Sequence, residues 1–158
     1  MASQPSLADT EFMKRVQTAL YAFQMVEEAL KLIVGLSYEI LQSTAPDPIA
    51  FSFQPSDINN AALGTLTKLY GRVSKNQTAK ARLGEIARWR DYCAHRAFYI
   101  EFMSRGDLKY QAQKDGEGLN LATKAALDLL QEFGQEIAAL QVTHRSVKKL
   151  PPSPHDDI

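Results

Sequence analysis

At 158 residues and 45% hydrophobic content the chain is long enough to bury one core without help from metals or disulfides, and a single cysteine, Cys93, excludes an internal disulfide. Eighteen basic residues balance eighteen acidic ones, which argues against a protein that coats nucleic acid indiscriminately through counterion release. No apolar run reaches the roughly 18 residues of a membrane span, and the first residues show no basic segment followed by an apolar one, so the expectation is a soluble, cytoplasmic protein with no membrane partner.

Residues 1–8 read as a disordered N-terminus, and Asp9 or Thr10 is placed to cap a helix whose first turn carries Glu11. Phe12, Val16, Ala19 or Leu20, Phe23, Val26, Leu30, Ile33, Leu36 and Ile40 then recur at helical spacing until Thr44-Ala45-Pro46-Asp47-Pro48 stops the run. A proline-rich loop follows, carrying Phe51 and Phe53 as anchors. Ser56 or Asp57 caps a second helix with Ile58, Ala62, Leu63, Leu66, Leu69 and Val73 on its apolar stripe, ending near Ser74-Lys75-Asn76.

A third helix is expected from Gln77 or Thr78 to Met103, ended by the Ser104-Arg105-Gly106-Asp107 cluster. Leu83, Ile86, Arg90, Cys93, Ala97 and Ile100 share one of its stripes, while Asp91, His95, Phe98 and Phe102 form another. Two such faces call for two partners, either a core and a neighbouring subunit or, for a helix central to a single bundle, the same core on both sides. Lys114-Asp115-Gly116-Glu117-Gly118 reads as a loop, after which Asn120 caps a fourth helix carrying Leu121, Ala125, Leu129, Phe133, Ile137 and Leu140 to about Val147. Residues 148–158 form a proline-rich acidic tail without a core face. The fold class expected for residues 9–147 is therefore all-α, an antiparallel bundle of about four helices.

Charge is uneven within this frame. Arg72, Lys75, Lys80, Arg82, Arg88, Arg90, Arg96 and Arg105 face only Glu85, Asp91 and Glu101, so an anionic ligand would meet residues 72–105. Metal chemistry finds no support: no histidine stands in a Glu-x-x-His pair, and Cys93-Ala94-His95 is too small a cluster for zinc. Cys93 lies on the apolar stripe, as a buried inert thiol would. Arg90 and His95 remain. A guanidinium forks onto phosphate oxygens and an imidazole can take and give a proton, a pair suited to phosphodiester cleavage. Residues five apart on an ideal helix are separated by about 140° and about 7.5 Å, so convergence needs a curled arginine, a distorted helix or a second subunit. Arg88 lies almost on the face of His95 two turns away and competes for the arginine's role.

The run Arg90-Asp91-Tyr92-Cys93-Ala94-His95 resembles the arginine, polar residue, spacer and histidine motif of the HEPN superfamily, all-α domains associated with nucleic acids, many of them metal-independent ribonucleases. The resemblance covers about residues 10–145, with Val26-Glu27-Glu28-Ala29-Leu30-Lys31 on the first helix and Leu63-Gly64-Thr65-Leu66 on the second. Two positions depart from the family pattern: asparagine commonly stands where this chain has Asp91, and the tyrosine that follows the histidine by two residues in one toxin subgroup is here Ala97, the nearest tyrosine being Tyr99.

The resemblance implies a homodimer that brings two pairs of Arg90 and His95 into one cleft, with His95 as general base on a ribose 2′-hydroxyl and the arginines stabilising the phosphate. Asp91 and Arg88 would assist, and Tyr92, Arg96 and Tyr99 would hold RNA. It implies no cofactor, a toxin–antitoxin or defence setting, and an antitoxin-type protein partner. The competing reading is a non-catalytic HEPN-like dimerisation or adaptor domain in which Arg90 pairs with a carboxylate and His95 is an interface histidine.

Overall fold

A computed structural model describes residues 11–46, 48–103 and 109–148. The expected N-cap at Asp9 or Thr10, the N-terminal segment, the turn at Ser104 to Asp107 and the tail from Lys149 onward lie outside them. Described residues form six helices and no strand: α1 (Glu11–Thr44), α2 (Ser56–Asn59), α3 (Leu63–Val73), α4 (Gln77–His95), α5 (Ala97–Met103) and α6 (Lys109–Lys148). The protein is all-α, and none of these helices is long and apolar enough to cross a membrane.

The chain divides into two compact units, the first taking residues 11–26 and 77–130 and the second residues 27–76 and 131–148. In the first, α1 contributes Phe12, Val16, Ala19, Phe23 and Val26, α4 contributes Ala79, Leu83, Ile86 and Cys93, and α5 contributes Ala97 and Ile100, all buried. Steps of three and four place each set on one helical stripe. Ala19 rather than Leu20 takes the inner position, and Leu20 is exposed. The expected single helix to Met103 is interrupted at Arg96, but Arg96 N–H donates to Tyr92 O at 2.8 Å and Ile100 N–H to Arg96 O at 3.0 Å, so the four-residue hydrogen-bond spacing carries the stripe across the break.

The largest departure lies in α6. Lys114 to Gly118 is not a loop and Asn120 is not a cap: both sit inside a helix of 40 residues. Gly116 is buried and extends an apolar row through Ala112, Leu119, Ala122, Ala126 and Leu129. That row sets the helix phase, which is why Leu121, expected in the core, is 71% exposed. The glycines serve close helix approach instead of a turn. A Cβ on Gly116 would lie 3.1 Å from Arg15 Nη1, and one on Gly118 only 2.4 Å from Trp89 Cη2 and Cζ2. Asp115, between them, accepts from Gln111 Nε2 at 2.7 Å and from the Tyr92 hydroxyl at 2.6 Å, so this polar stretch is held by side chains of α6 and α4.

In the second unit the core is Leu30, Ile33 and Val34 of α1, Phe53, Ile58 of α2, Leu63, Leu66 and Tyr70 of α3, and Phe133 of α6. One helix was expected from Ser56 to Ser74, yet the chain breaks at Asn60 to Ala62. Asparagine side chains compete with the helical backbone for hydrogen bonds, and Ala62 is extended at φ −68° and ψ 157° while its carbonyl accepts from Leu66 N–H at 3.0 Å, so it opens a new helix. Asp57 does not cap from the first position but reaches back to accept from Gln54 N–H at 2.9 Å. Tyr38 of α1 receives Phe51 and Phe53 edge-on at 5.6 and 5.2 Å. Buried Tyr70 packs on Phe133 at 5.4 Å and donates to Glu136 Oε2 at 3.0 Å; burial and the glutamate push its hydroxyl pKa up to about 12.

Near the ends of α1 and α6, Glu39 Oε2 contacts His144 Nε2 at 2.6 Å and Lys148 Nζ at 3.1 Å. Burial alone would raise the Glu39 carboxyl, but the hydrogen bonds and charges of Lys148 and His144 together outweigh it and hold the pKa below its ordinary 4.5. A carboxyl depressed in the folded state contributes stability above its unfolded pKa and loses it as pH falls through the folded value. Glu39→Gln should therefore cost a few tenths to about 1 kcal/mol at neutral pH, the range for a partly exposed pair. Denaturant titration should show the difference from wild type closing as the buffer is taken from pH 5 to pH 3, and a constant gap would remove the ionic account.

Candidate functional site

Every residue singled out between Arg88 and Tyr99 lies on α4, on α5 or at the junction between them. Helical phase alone sorts them into two groups. Arg90 continues the buried row Leu83, Ile86 and Cys93 and is half-buried. Cys93, one turn on, is buried, and burial pushes its thiol up to about 11, leaving it protonated and unreactive near neutrality.

Arg88, Asp91, His95 and Phe98 step around the helix by three, four and three residues, and all four are exposed. His95 is the last residue of α4. Arg96, at the junction, is exposed, and Phe98 and Tyr99 are each 58% exposed. Arg88 donates from Nη2 to Glu85 Oε2 at 2.6 Å, a solvent-facing pair one turn apart that can be exchanged for a ligand at little cost.

Tyr92 belongs to neither group. Its ring meets Trp89 edge-on at 5.3 Å and its hydroxyl donates to Asp115. Burial, reinforced by the hydrogen bond and charge of Asp115, raises the hydroxyl pKa above its ordinary value, so Tyr92 is a protonated donor fixed to α6. Trp89, Asp115 and Gln111 thus position the motif helix, and sequence reasoning assigned none of them. The signal was there in the spacing: Ala112, Gly116, Leu119 and Ala122 keep a helical period through the supposed loop.

The structure therefore brings Arg88, Asp91 and His95 onto one exposed face of α4 and sets Arg90 on another, the outcome of a separation of about 140° on a regular helix. Among the described residues no group of three His, Cys, Asp or Glu side chains could hold a metal ion. What the exposed row offers chemically is a proton-transfer group beside cations and aromatic rings, on a surface open to a chain-like ligand or a second protein. No family model, curated relative or solved structure matches the chain.

Proposed function

We propose that the protein is a HEPN-like, metal-independent endoribonuclease acting as a homodimer, in a toxin or defence setting with an antitoxin-type partner. The observation that carries the reading is the exposed His95 at the end of α4, in a row with Arg88 and Asp91 and next to exposed Arg96, Phe98 and Tyr99. His95 accepts the proton of a ribose 2′-hydroxyl, the oxygen attacks the adjacent phosphorus, and the bond from phosphorus to the 5′-oxygen breaks as that oxygen takes a proton from water and leaves as a hydroxyl. Arginine stabilises the charge that develops on the phosphate. Arg90 reaches that phosphate only from a different direction than His95 of its own helix, so the two act together across the dimer. Tyr99 and Arg96 hold unpaired bases and backbone, while Asp91 orients the imidazole or an arginine.

Purified protein should cleave single-stranded RNA in the presence of chelator, giving a cyclic 2′,3′-phosphate and a 5′-hydroxyl, and a deoxyribose at the cleaved position should block the cut. Light scattering over a dilution series should return a dimer at micromolar concentration. Activity lost with chelator and restored by magnesium, or a monomer, would remove the mechanism.

A second reading, a non-catalytic dimerisation or adaptor domain, is favoured by the exposed aromatics Phe98 and Tyr99, which suit a protein surface as well as a base. Wild-type protein that dimerises but leaves RNA intact would establish it.

A further inference from the structure

A cleft in the second unit is lined by none of the residues assigned to RNA cleavage. It lies between α1, residues 53–55 and α2, with a volume of about 300 Å³. Leu32, Leu36, Phe53, Pro55 and Ile58 give it apolar walls, and Gly35 adds no side chain to the space between them. Leu32 is 55% exposed, an apolar side chain presented at the opening. The charged groups at the rim are already neutralised by the chain itself. Lys31 pairs with Glu28 at 2.8 Å and with Glu27 at 3.8 Å, while Glu39 pairs with Lys148 at 3.1 Å and contacts His144 at 2.6 Å. A cleft of this make-up selects for apolar surface and offers a charged ligand little.

The same rim holds the last described residue of α6. Lys148 has its ammonium on Glu39 at 3.1 Å, and Glu39 is one of the residues that line the cleft. The next residues are Lys149-Leu150-Pro151-Pro152-Ser153-Pro154, one leucine and three prolines with no acidic group. Proline presets the extended polyproline conformation, which spans about 3.1 Å per residue and docks on apolar, aromatic-lined grooves with little ordering cost. Tethering adds to this, because a segment joined to the rim by one or two residues is present at high effective concentration.

We propose that this cleft is the binding site for Leu150 to Pro154 of the same chain. Leu150 enters the apolar floor, and the prolines lie along Phe53 and Pro55. The Lys148 to Glu39 contact is the anchor from which the segment turns into the cleft.

The test uses the full chain with Ser153→Cys carrying a nitroxide; Cys93 is buried and escapes a polar thiol reagent. Leucine and isoleucine methyl signals are compared with the nitroxide oxidised and reduced. Those of Leu32, Leu36 and Ile58 should lose most of their intensity in the oxidised sample, and adding Leu150→Asp should restore it while circular dichroism stays unchanged. Equal attenuation of all methyls, none at all, or attenuation that survives Leu150→Asp would overturn the proposal. Mixing spin-labelled chains with isotope-labelled, tag-free chains separates the remaining case: attenuation in the tag-free chains would place the segment on a second copy and overturn docking within one chain.

Discussion

Replacing His95 with alanine should lower RNA cleavage by about two to four orders of magnitude, the usual contribution of a positioned acid–base group, or about 2.7–5.4 kcal/mol of transition-state stabilisation. His95 is exposed, so alanine there opens no cavity, and folding stability should change by no more than about 0.5 kcal/mol. That separation makes the variant informative: a loss of activity without a loss of fold or dimer assigns the imidazole to chemistry. Arg90→Ala should cause a loss of similar size, but Arg90 is half-buried, so alanine confounds charge with packing. Arg90→Lys keeps a charged, long side chain and removes the two-pronged fork, and should retain stability while losing most of the cleavage. Arg88→Ala should cost much less. If Arg88→Ala proves the more damaging, the arginine on the histidine's own exposed face is the phosphate clamp and the requirement for a second subunit falls away. If His95→Ala cleaves like wild type, the proton-transfer assignment is lost with it.

Much of the helical frame was legible because burial writes a period into the chain. Phe12, Val16, Ala19, Phe23, Val26, Leu30 and Ile33 keep that period without interruption, and Thr44 before the prolines marks where it stops. Local chemistry hid the rest. Asn59 and Asn60 broke a helix that the apolar stripe alone would have continued, and Lys-Asp-Gly-Glu-Gly imitated a turn where the chain stays helical. A glycine in a polar stretch has two physical meanings, freedom of the backbone or room for a neighbour, and only the position of the neighbour tells them apart. The site divides the same way. That His95 and Arg90 face differently, and that Arg88 stands one turn from Glu85, follows from helical geometry, and so was readable; that Tyr92 is engaged by Asp115 depends on side-chain placement that no spacing encodes.

Gly118→Ala should destabilise the protein although alanine is the better helix former. Both effects are of known size and opposite sign. At an open helical position, glycine to alanine contributes about 1 kcal/mol of stability, and Gly134, which has nothing within 4 Å of its would-be Cβ, offers that case on the same helix. At Gly118 the added carbon would stand 2.4 Å from two atoms of the Trp89 ring, far inside contact distance, and the ring cannot simply swing away because its edge is set against Tyr92, whose hydroxyl is held by Asp115. Either α6 or the indole must shift by about 1 Å, the kind of overpacking that costs about 1–3 kcal/mol. Thermal denaturation should place Gly118→Ala below wild type and Gly134→Ala above it. Trp89 is the only tryptophan, so its emission reports the displacement directly and should change in the first variant alone. Trp89→Leu removes the clashing ring atoms; in a double-mutant cycle Gly118→Ala should then be neutral or stabilising, a coupling of about 1 kcal/mol or more. Equal stabilisation by alanine at both glycines would show that α4 and α6 are not in close approach here, and would detach the motif helix from the scaffold that positions His95.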